Sequence, residues 1–280
     1  MGKLPVALQL YTVRDAAAED FFGVLKQVKE MGYDFVEFTA DFYGYEACEI
    51  RAEMDKLGLK AVSAHVPIDM LVDDVQAVID DFGTLGCKYI AVPWLDEARR
   101  PGSDAWPQVV EQIKGIGQAL RAAGMTLLYH NHDFEFAKIG GKYALDMLYE
   151  SVPAEYLQTQ IDTCWVKVAG EDPAAYVLKY AGRCPIVHLK DFVMRGMEKP
   201  KRLYALIGAD GRDDEAVEDA GDGGFDFRPV GHGVQDMPAI LDAAVKAGAQ
   251  YVVVEQDRST QRPSPEAARM SREYLKTLGY

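Results

Sequence analysis

The feature that most constrains the fold is an alternation, repeated eight times, of short apolar segments with longer amphipathic segments. The apolar segments have the length of buried strands, and the amphipathic ones follow the helical period of about 3.6 residues. The predicted strands cover residues 6–11, 35–39, 60–65, 89–94, 126–132, 157–165, 185–191 and 251–257. The predicted helices cover residues 21–30, 47–57, 72–85, 106–123, 143–151, 174–180, 237–247 and 265–278. Strands joined through helices run parallel, because each crossover returns the chain to the same end of the sheet.

The junctions from helix to strand share one signal, a glycine placed just before the next strand. It recurs at Gly32, Gly58, Gly86, Gly124 and Gly248. Glycine at this position is the usual left-handed helix cap, so the chain repeats one βα unit. Parallel strands either close into a barrel at eight or spread as an open doubly wound sheet. Eight units, with no Gly-rich phosphate loop after the first strand, predict a single α/β domain over residues 1–280, a (β/α)8 TIM barrel.

The alternation is interrupted by a long loop insertion at about residues 192–234. It contains an acidic, glycine-rich run at 208–224. The spacing of Asp and Gly loosely resembles a calcium-binding loop, but counting from Asp210 places Gly221 where the bidentate glutamate is required. We therefore expect a solvated surface loop.

Composition excludes several classes of function. The formal net charge of −14 and the lack of a basic cluster argue against nucleic acid as a partner. No apolar run approaches the roughly 20 residues of a membrane span. The four cysteines contain no C-x-x-C pair, which predicts reduced thiols. Because residues 1–5 carry no signal-peptide pattern, we expect a cytoplasmic protein.

Polar and charged residues gather at the carboxyl ends of the predicted strands, and four of the five histidines lie there. In a barrel these ends share one mouth, where such enzymes keep their active sites. Taken singly, a histidine at a strand end is more often a hydrogen-bonded structural residue than a ligand, and a lone aspartate can cap the following helix. Together, several carboxylates and imidazoles in one partly dry pocket require a cation or mutually raised pKa values. Oxygen and imidazole ligands suit Mn²⁺, Mg²⁺, Co²⁺ or Zn²⁺. The polar strand ends are Glu37, His65, 129–135, Asp162, 188–191 and 255–258.

Several motifs at these ends together resemble the xylose isomerase-like TIM barrels, also called the sugar phosphate isomerase/epimerase superfamily. That family includes inosose dehydratases, ketose 3-epimerases and hydroxypyruvate isomerases, and the resemblance covers nearly the whole chain. The motifs are LQLYTVR at 8–14, AHVP at 64–67, YHNHDFEF at 129–136, IDTCW at 161–165, AGEDP at 169–173, HLKD at 188–191, GHG at 231–233 and VEQD at 254–257.

The resemblance implies one divalent metal ion held by Glu, Asp, His and Glu on strands five to eight. Asp162, His188 and Glu255 match the last three positions. On strand five this chain departs from the epimerases, because it has Tyr129 and His130 where they have the glutamate. We expect Glu135 to reach back from the loop as the fourth ligand, with His130 or His132 as the alternatives. Mn²⁺ is the expected ion, and Mg²⁺, Co²⁺ or Zn²⁺ would also suit.

The resemblance further implies an isomerase, epimerase or lyase (dehydratase) that acts on a keto-sugar, an inosose or an oxidised glycoside through a metal-stabilised enediolate. Departure from the epimerase pattern favours dehydration, which needs one base and one acid. The expected catalytic residues are His65, His132, Lys190 and Glu255. The expected substrate-binding residues are Gln9, Glu37, Trp94, His130 and Trp165. For Lys190 a plain salt bridge, and for Trp165 simple core packing, are the alternative interpretations.

A second hypothesis is a catalytically silent barrel that binds a sugar or serves as a partner subunit. A nuclease-like relative is a third, but the acidic charge argues against it. A small-molecule sugar or polyol is the expected partner under the first hypothesis, and a homo-oligomer is left open. Stoichiometric metal in the purified protein would favour the enzyme.

Overall fold

The computed structural model describes residues 2–194 and 224–280, and eight parallel strands in it close into a barrel. The barrel strands are β1 (Val6–Gln9), β2 (Phe35–Phe38), β3 (Lys60–His65), β4 (Tyr89–Val92), β5 (Thr126–His130), β8 (Gln158–Asp162), β9 (Ile186–Leu189) and β12 (Tyr251–Val254). Neighbouring strands around the barrel follow the order β1, β12, β9, β8, β5, β4, β3 and β2. The predicted (β/α)8 TIM barrel is therefore confirmed.

Helices cover the outside of the barrel. No helix within residues 2–194 and 224–280 is both long and apolar enough to cross a membrane. The helices are α1 (Arg14–Glu19), α2 (Phe21–Met31), α3 (Ala47–Leu57), α4 (Ile68–Asp73), α5 (Val75–Leu85), α6 (Trp106–Ala122), α7 (Ala144–Ser151), α8 (Thr163–Val168), α9 (Pro173–Lys179), α10 (Met237–Ala247) and α11 (Ser264–Thr277). Short 3₁₀ turns cover Leu10–Val13, Glu97–Arg99 and Phe134–Phe136.

The glycine caps form as the sequence predicts. Gly32 adopts φ 95° after α2, and its N–H donates to the carbonyl of Val28 or Lys29. Gly58, Gly86 and Gly248 end α3, α5 and α10 in the same left-handed conformation. A residue with a Cβ would be strained there, so these glycines set where each helix stops and the next strand begins.

Two layers of apolar side chains hold the barrel together. The larger layer fills the space between strands and helices. The smaller one closes the barrel interior below the strand ends and consists of Ala7, Val62, Tyr89, Ala91, Leu128, Ile186 and Val253. All four cysteines are free; Cys48 is exposed and the other three are buried.

Two predicted elements are corrected by capping side chains. The predicted strand 157–165 stops at Asp162, because the Asp162 carboxylate accepts hydrogen bonds from the N–H groups of Cys164 and Trp165 and so starts α8. The predicted helix 72–85 is divided into α4 and α5 at Asp74. The Asp74 side chain accepts from the N–H of Ala77 and caps α5.

The predicted insertion at 192–234 begins and ends in a two-stranded antiparallel ribbon. Its strands are β10 (Asp191–Val193) and β11 (Asp226–Arg228), with Phe192 opposite Phe227. A second ribbon pairs β6 (Lys138–Ile139) with β7 (Lys142–Tyr143). Apart from Gly224, the acidic run at 208–224 lies outside the described residues.

Candidate metal and substrate site

Alternation along the strands builds the candidate site directly above the inner apolar layer. On β9, Ile186 belongs to that layer and His188 follows two residues later on the same side. On β12, Val253 is likewise followed by Glu255. Because side chains along a strand repeat with a period of two, polar residues at the strand ends point into the barrel mouth.

One group of four side chains has the spacing of a metal site. His130, Asp162, His188 and Glu255 each offer one ligand atom, and these atoms lie within 4.8 Å of one another. All four residues are buried. They come from β5, β8, β9 and the end of β12, which are consecutive in the barrel, and Asp162 is in register with His188.

The two carboxylate oxygens of Asp162 have separate roles. Oδ1 accepts the N–H groups of Cys164 and Trp165 at 2.8 and 3.2 Å, which fixes the orientation of the carboxylate. Oδ2 faces the site, 3.7 Å from His130 Nε2, and is buried without a hydrogen bond of good geometry. Burial raises the pKa of Asp162, and the Lys190 ammonium partly offsets that rise. The Oδ2 atom is therefore held in place as an available ligand.

His188 lies between two glutamates. Its Nδ1 is 2.9 Å from Glu255 Oε2, and its Nε2 is 2.7 Å from Glu37 Oε1 without good hydrogen-bond alignment. Burial disfavours the charged ring, but the negative charge of Glu37 and the hydrogen bond to Glu255 raise the pKa of His188 to about 10. Burial likewise opposes the charge on Glu37, yet His65 and His188 hold its pKa well below the usual range. His188 is therefore placed to offset the negative charge of the two glutamates.

Lys190 supplies a second buried cation. Its Nζ atom lies 3.0 Å from Asp162 Oδ2, 2.9 Å from Glu255 Oε2 and 3.0 Å from Asp257 Oδ2, and the residue is 1% exposed. Burial opposes the positive charge, but the three carboxylates raise the pKa of Lys190 well above its ordinary value. The ammonium group therefore shares two carboxylates with the candidate metal group.

Gln160 fixes the protonation of His130. The Gln160 amide nitrogen donates to Glu37 Oε2 at 2.6 Å, so its oxygen faces His65 Nε2 at 2.7 Å and His130 Nδ1 at 3.1 Å. Both rings must donate to that oxygen. Burial, together with the charges of His188 and His65, lowers the pKa of His130 well below its ordinary value. His130 is therefore neutral with its proton on Nδ1, which leaves the Nε2 lone pair facing Asp162.

His132 lies on the same side of the chain as His130, two residues further on. Its ring packs edge-on against Trp94 at 4.8 Å and parallel to Phe134 at 5.6 Å. Burial, followed by the positive charge of Lys190, lowers the pKa of His132 well below its ordinary value. Its Nδ1 is buried without a hydrogen-bond partner. His132 therefore presents a neutral imidazole at the cavity wall.

The site opens into a cavity of about 580 Å³ at the barrel mouth. This volume lies within the range of roughly 300 to 1,000 Å³ typical of small-molecule pockets. Of the predicted site residues, the cavity is lined by His65, Trp94, His130, His132, Lys190 and Glu255. Asp162 and His188 lie fully buried directly beneath them.

Glu135, the expected strand-five ligand, is not brought to this group. Its Oε1 accepts from the Tyr129 hydroxyl at 2.6 Å and its Oε2 from the His132 N–H at 2.8 Å. Tyr129 points outward from β5 into the layer beneath the helices, so Glu135 is held on the opposite side of the strand from His130. Burial raises the pKa of Glu135 to about 7. The structure instead places His130, one of the open alternatives, at the strand-five position.

Three predicted substrate-binding residues do not line the cavity. Trp165 is fully buried in α8 and packs with Phe227, while the Lys190 ammonium lies 5.3 Å from its ring centre. Gln9 and Glu37 lie beneath the mouth, and the Gln9 amide donates to Glu37 Oε1 at 2.8 Å. These three residues lie beneath or behind the residues that line the cavity.

Sequence reasoning missed Asp257, Gln160 and the aromatic residues Tyr11 and Tyr43. Period-two alternation identifies the first two, since Asp257 follows Glu255 and Gln160 precedes Asp162 on the same side of the strand. Tyr11 lines the cavity from the 3₁₀ turn at Leu10–Val13, and Tyr43 lines it from the loop after β2. No periodic signal predicts the direction of a loop side chain.

The family assignment follows from a match that covers most of the chain. The sequence profile described as xylose isomerase-like TIM barrel matches residues 25–278. The chain belongs to this family. The resemblance drawn from its motifs is thereby confirmed.

Relatives of this xylose isomerase-like protein include curated enzymes and solved barrels. An inosose dehydratase from Clostridium beijerinckii is 28% identical over 175 residues, which make up 62% of this chain and 54% of that protein. The chain thus spans about half the length of the first such relatives. An inosose dehydratase from Geobacillus kaustophilus is 23% identical over 285 residues, covering 91% of this chain and 86% of that protein. A sugar phosphate isomerase/epimerase from Parabacteroides distasonis superposes with a TM-score of 0.78 at 18% identity, over 100% of this chain and 96% of that one.

Proposed function

We propose that this protein is a divalent-metal-dependent enzyme that removes a proton next to the carbonyl of a keto-sugar or inosose, and that dehydration is the reaction its site suits best. The observation that carries the proposal is the buried group of His130, Asp162, His188 and Glu255, with ligand atoms within 4.8 Å of one another, beneath a cavity wall formed by His132. The names of the curated relatives support the same class of reaction.

The donor set fits a divalent cation. The Asp162 Oδ2 atom, which faces the site, is buried without a well-aligned hydrogen bond, and His130 Nε2 carries a lone pair in the ring form that Gln160 selects. A ligand set of two imidazoles and two carboxylates suits Zn²⁺, Co²⁺ or Mn²⁺. A set of oxygen ligands alone would suit these ions less well. When bound, such an ion supplies a Lewis acid that polarises a carbonyl and stabilises negative charge on its oxygen.

His132 is the proposed base. Its ring is neutral and faces the cavity, and Trp94 and Phe134 fix its orientation by packing on it. Because the imidazole is neutral at pH 7, its lone pair is free to accept a proton from the substrate. His65, on the same wall, is proposed to bind a substrate hydroxyl.

Lys190 is the proposed hydrogen-bond donor to the oxygen that gains charge or leaves as water. Its ammonium lines the cavity, and three carboxylates keep it charged. In this arrangement one base and one donor serve the substrate. Epimerisation needs matched proton-transfer groups on both faces of the carbon, and the chain has no glutamate at the end of β5 to provide the second one. Dehydration next to a ketone has no such requirement.

The test is turnover and metal content measured together. The purified protein is assayed with Mn²⁺, Co²⁺ or Zn²⁺ on inososes, ketoses and 3-keto-glucosides, and products are identified by NMR. We expect loss of water from at least one of these compounds, with activity lost in a chelator and restored by metal. His132→Ala should keep the metal and lose turnover by about 100-fold or more. Full activity in His132→Ala would remove His132 from the mechanism.

A barrel that binds a sugar without converting it remains the second candidate, and one observation favours it. Lys190 lies 3.0 Å from Asp162 and 2.9 Å from Glu255, so its positive charge offsets their negative charge without a metal. Such a protein would bind a sugar equally well in the presence of a chelator. A stoichiometric ion that is required for turnover would exclude it.

A further inference from the structure

Two buried residues follow the end of β5, beyond its ladder of backbone hydrogen bonds. The register of β5 with β8 ends at His130, which lies opposite Gln160. Asn131 and His132 come next, and they are 0% and 6% exposed. A buried backbone N–H or C=O group needs a hydrogen-bond partner. Past the end of the strand, side chains have to provide these partners.

The side chains of Glu135 and Asn131 provide them for His132. Glu135 Oε2 accepts the His132 N–H at 2.8 Å, and the Asn131 amide nitrogen lies 3.4 Å from the His132 carbonyl oxygen. Asn131 is itself tied to β8, because its amide oxygen accepts the N–H of Asp162 at 3.0 Å. Peptide groups are planar, so holding the two that flank the Cα of His132 fixes the direction in which its side chain leaves the backbone.

The carboxylate of Glu135 is anchored in turn to the strand. Its Oε1 accepts the Tyr129 hydroxyl at 2.6 Å, and the Tyr149 hydroxyl donates to the backbone carbonyl of Tyr129 at 3.0 Å. All three residues are buried. The carboxylate therefore bridges β5 and the residue that lies two positions beyond its end.

Glu135 is a costly residue to bury, because its two partners are neutral donors. A hydroxyl and a backbone N–H carry no charge, and burial raises the pKa of Glu135 to about 7. A glutamine offers the same two contacts, since its amide oxygen accepts the N–H and its amide nitrogen donates to the hydroxyl oxygen. An alanine offers neither. Glutamine is therefore the conservative replacement for Glu135, and alanine is the disruptive one.

We propose that Glu135 is a positioning residue for the reaction, which holds the His132 imidazole against Trp94 by accepting the His132 N–H. The inference rests on the proposed function, because it takes His132 as the base. The His132 ring centre lies 4.8 Å from that of Trp94 and 5.4 Å from that of His130. Packing limits how the ring turns, and the hydrogen bond fixes the backbone that carries it. A displacement of about 1 Å at such a group costs up to about 100-fold in rate.

The first experiment measures the position of the ring without turnover. The chain has five histidines, so labelling with ¹³C-histidine gives few ring signals, and replacing one histidine at a time assigns them. Spectra are recorded in chelator and with diamagnetic Zn²⁺. The NOE between the His132 and Trp94 rings should be lost in Glu135→Ala and kept in Glu135→Gln. The contact between His65 and His130, with ring centres 4.7 Å apart, is the internal control and should persist.

Two further variants separate positioning from a general loss of stability. Tyr149→Phe removes a buried hydrogen bond to the same strand without changing a contact of Glu135. It should lower Tm and keep the NOE between His132 and Trp94. Tyr129→Phe removes the anchor of Glu135 Oε1 and should weaken that NOE. This variant tests the bridge even where Glu135→Ala does not fold.

The second experiment follows turnover of any compound that the metal-loaded protein converts. Glu135→Ala should lower kcat by about 10- to 100-fold with KM and metal content unchanged, and Glu135→Gln should restore most of kcat. Because Glu135 acts through His132, the double variant Glu135→Ala/His132→Ala should be no slower than His132→Ala alone.

An unchanged NOE between His132 and Trp94 in folded Glu135→Ala would overturn the proposal. A double variant slower than His132→Ala by the full factor that Glu135→Ala costs alone would also overturn it. The proposed function is judged separately, and it fails if inososes, ketoses and 3-keto-glucosides are all unchanged by the metal-loaded protein. In that case the NOE comparison still decides whether Glu135 holds the ring.

Discussion

Replacing Lys190 with methionine removes an ammonium group that contacts three carboxylates of the candidate site. Methionine matches the length of most of the lysine side chain, so the side-chain volume at this buried position is largely kept. The charge is lost, and Asp162, Glu255 and Asp257 then face one another in a buried pocket without their shared partner at 2.9 to 3.0 Å. The change therefore tests charge compensation with little change in packing.

The expected cost is large because the site is dry. Lys190 is 1% exposed, and removing one partner of a buried ion pair costs about 3–5 kcal/mol, since it leaves charge without compensation. For a chain of this length, that loss lowers Tm by roughly 5 to 9 °C. Protonation of Asp257 reduces the cost at lower pH, because burial, reinforced by Glu255 and opposed by Lys190, raises its pKa to about 6.

The measurement is urea unfolding of wild type and Lys190→Met at about pH 8, above the pKa range of the carboxyl groups, in chelator and with saturating Mn²⁺. In chelator the variant should lose about 3–5 kcal/mol. With Mn²⁺ the difference should narrow, because the ion and Lys190 compete for Asp162 and Glu255 in the wild type but not in the variant. The control is Lys142→Met, which breaks an ion pair to Glu150 of similar length, 2.7 Å, between exposed side chains and should change stability little. Equal stability of variant and wild type in chelator would refute the charge-compensation argument.

Two further predictions concern stability. The pKa of His188 is raised to about 10, so its contribution to the stability of the metal-free protein should be complete below about pH 6.5 and should fall as pH rises toward 10. Urea unfolding in chelator across this pH range should show that decline in stability. The His188→Gln variant should not show it. Gly233→Ala should cost about 1–3 kcal/mol, since its Cβ would lie 2.1 Å from Asp191 Oδ1 and 2.4 Å from the carbonyl of Phe192. The control is Gly115→Ala on α6, where no atom lies within 4 Å of the new Cβ, and this change should not lower the stability of the protein. If Gly233→Ala were as stable as that control, the packing argument would be contradicted.

The sequence predicts the barrel well because its signals are local and repeated. Gly32 and Gly58 mark helix ends, and alternation along β9 and β12 indicates which residues face the interior. The errors occur where a single side chain overrides the pattern. Asp162 ends its strand by capping α8, and this moves Trp165 from a predicted strand end into a buried helix.

The site is predicted less completely, because ligand geometry beyond a strand end depends on the loop. Asp162, His188 and Glu255 follow from strand position and family motif. Glu135 has a ligand's chemistry and lies five residues after His130, yet the turn at Phe134–Phe136 carries it to the Tyr129 side of the strand. Sequence spacing does not indicate which way such a turn points. The choice between Glu135 and His130 therefore requires the structure.

The proposed metal site is tested most directly by measuring the bound metal in wild type, His130→Ala and Glu135→Gln. Each protein is incubated with Mn²⁺ or Zn²⁺, free ion is removed, and metal content is measured by mass spectrometry. We expect about one ion per chain in wild type and in Glu135→Gln. We expect little or no bound ion in His130→Ala, because the group of Asp162, His188 and Glu255 then lacks its ligand from strand five. Full occupancy in His130→Ala together with loss of the ion in Glu135→Gln would contradict this account and would return Glu135 to the metal.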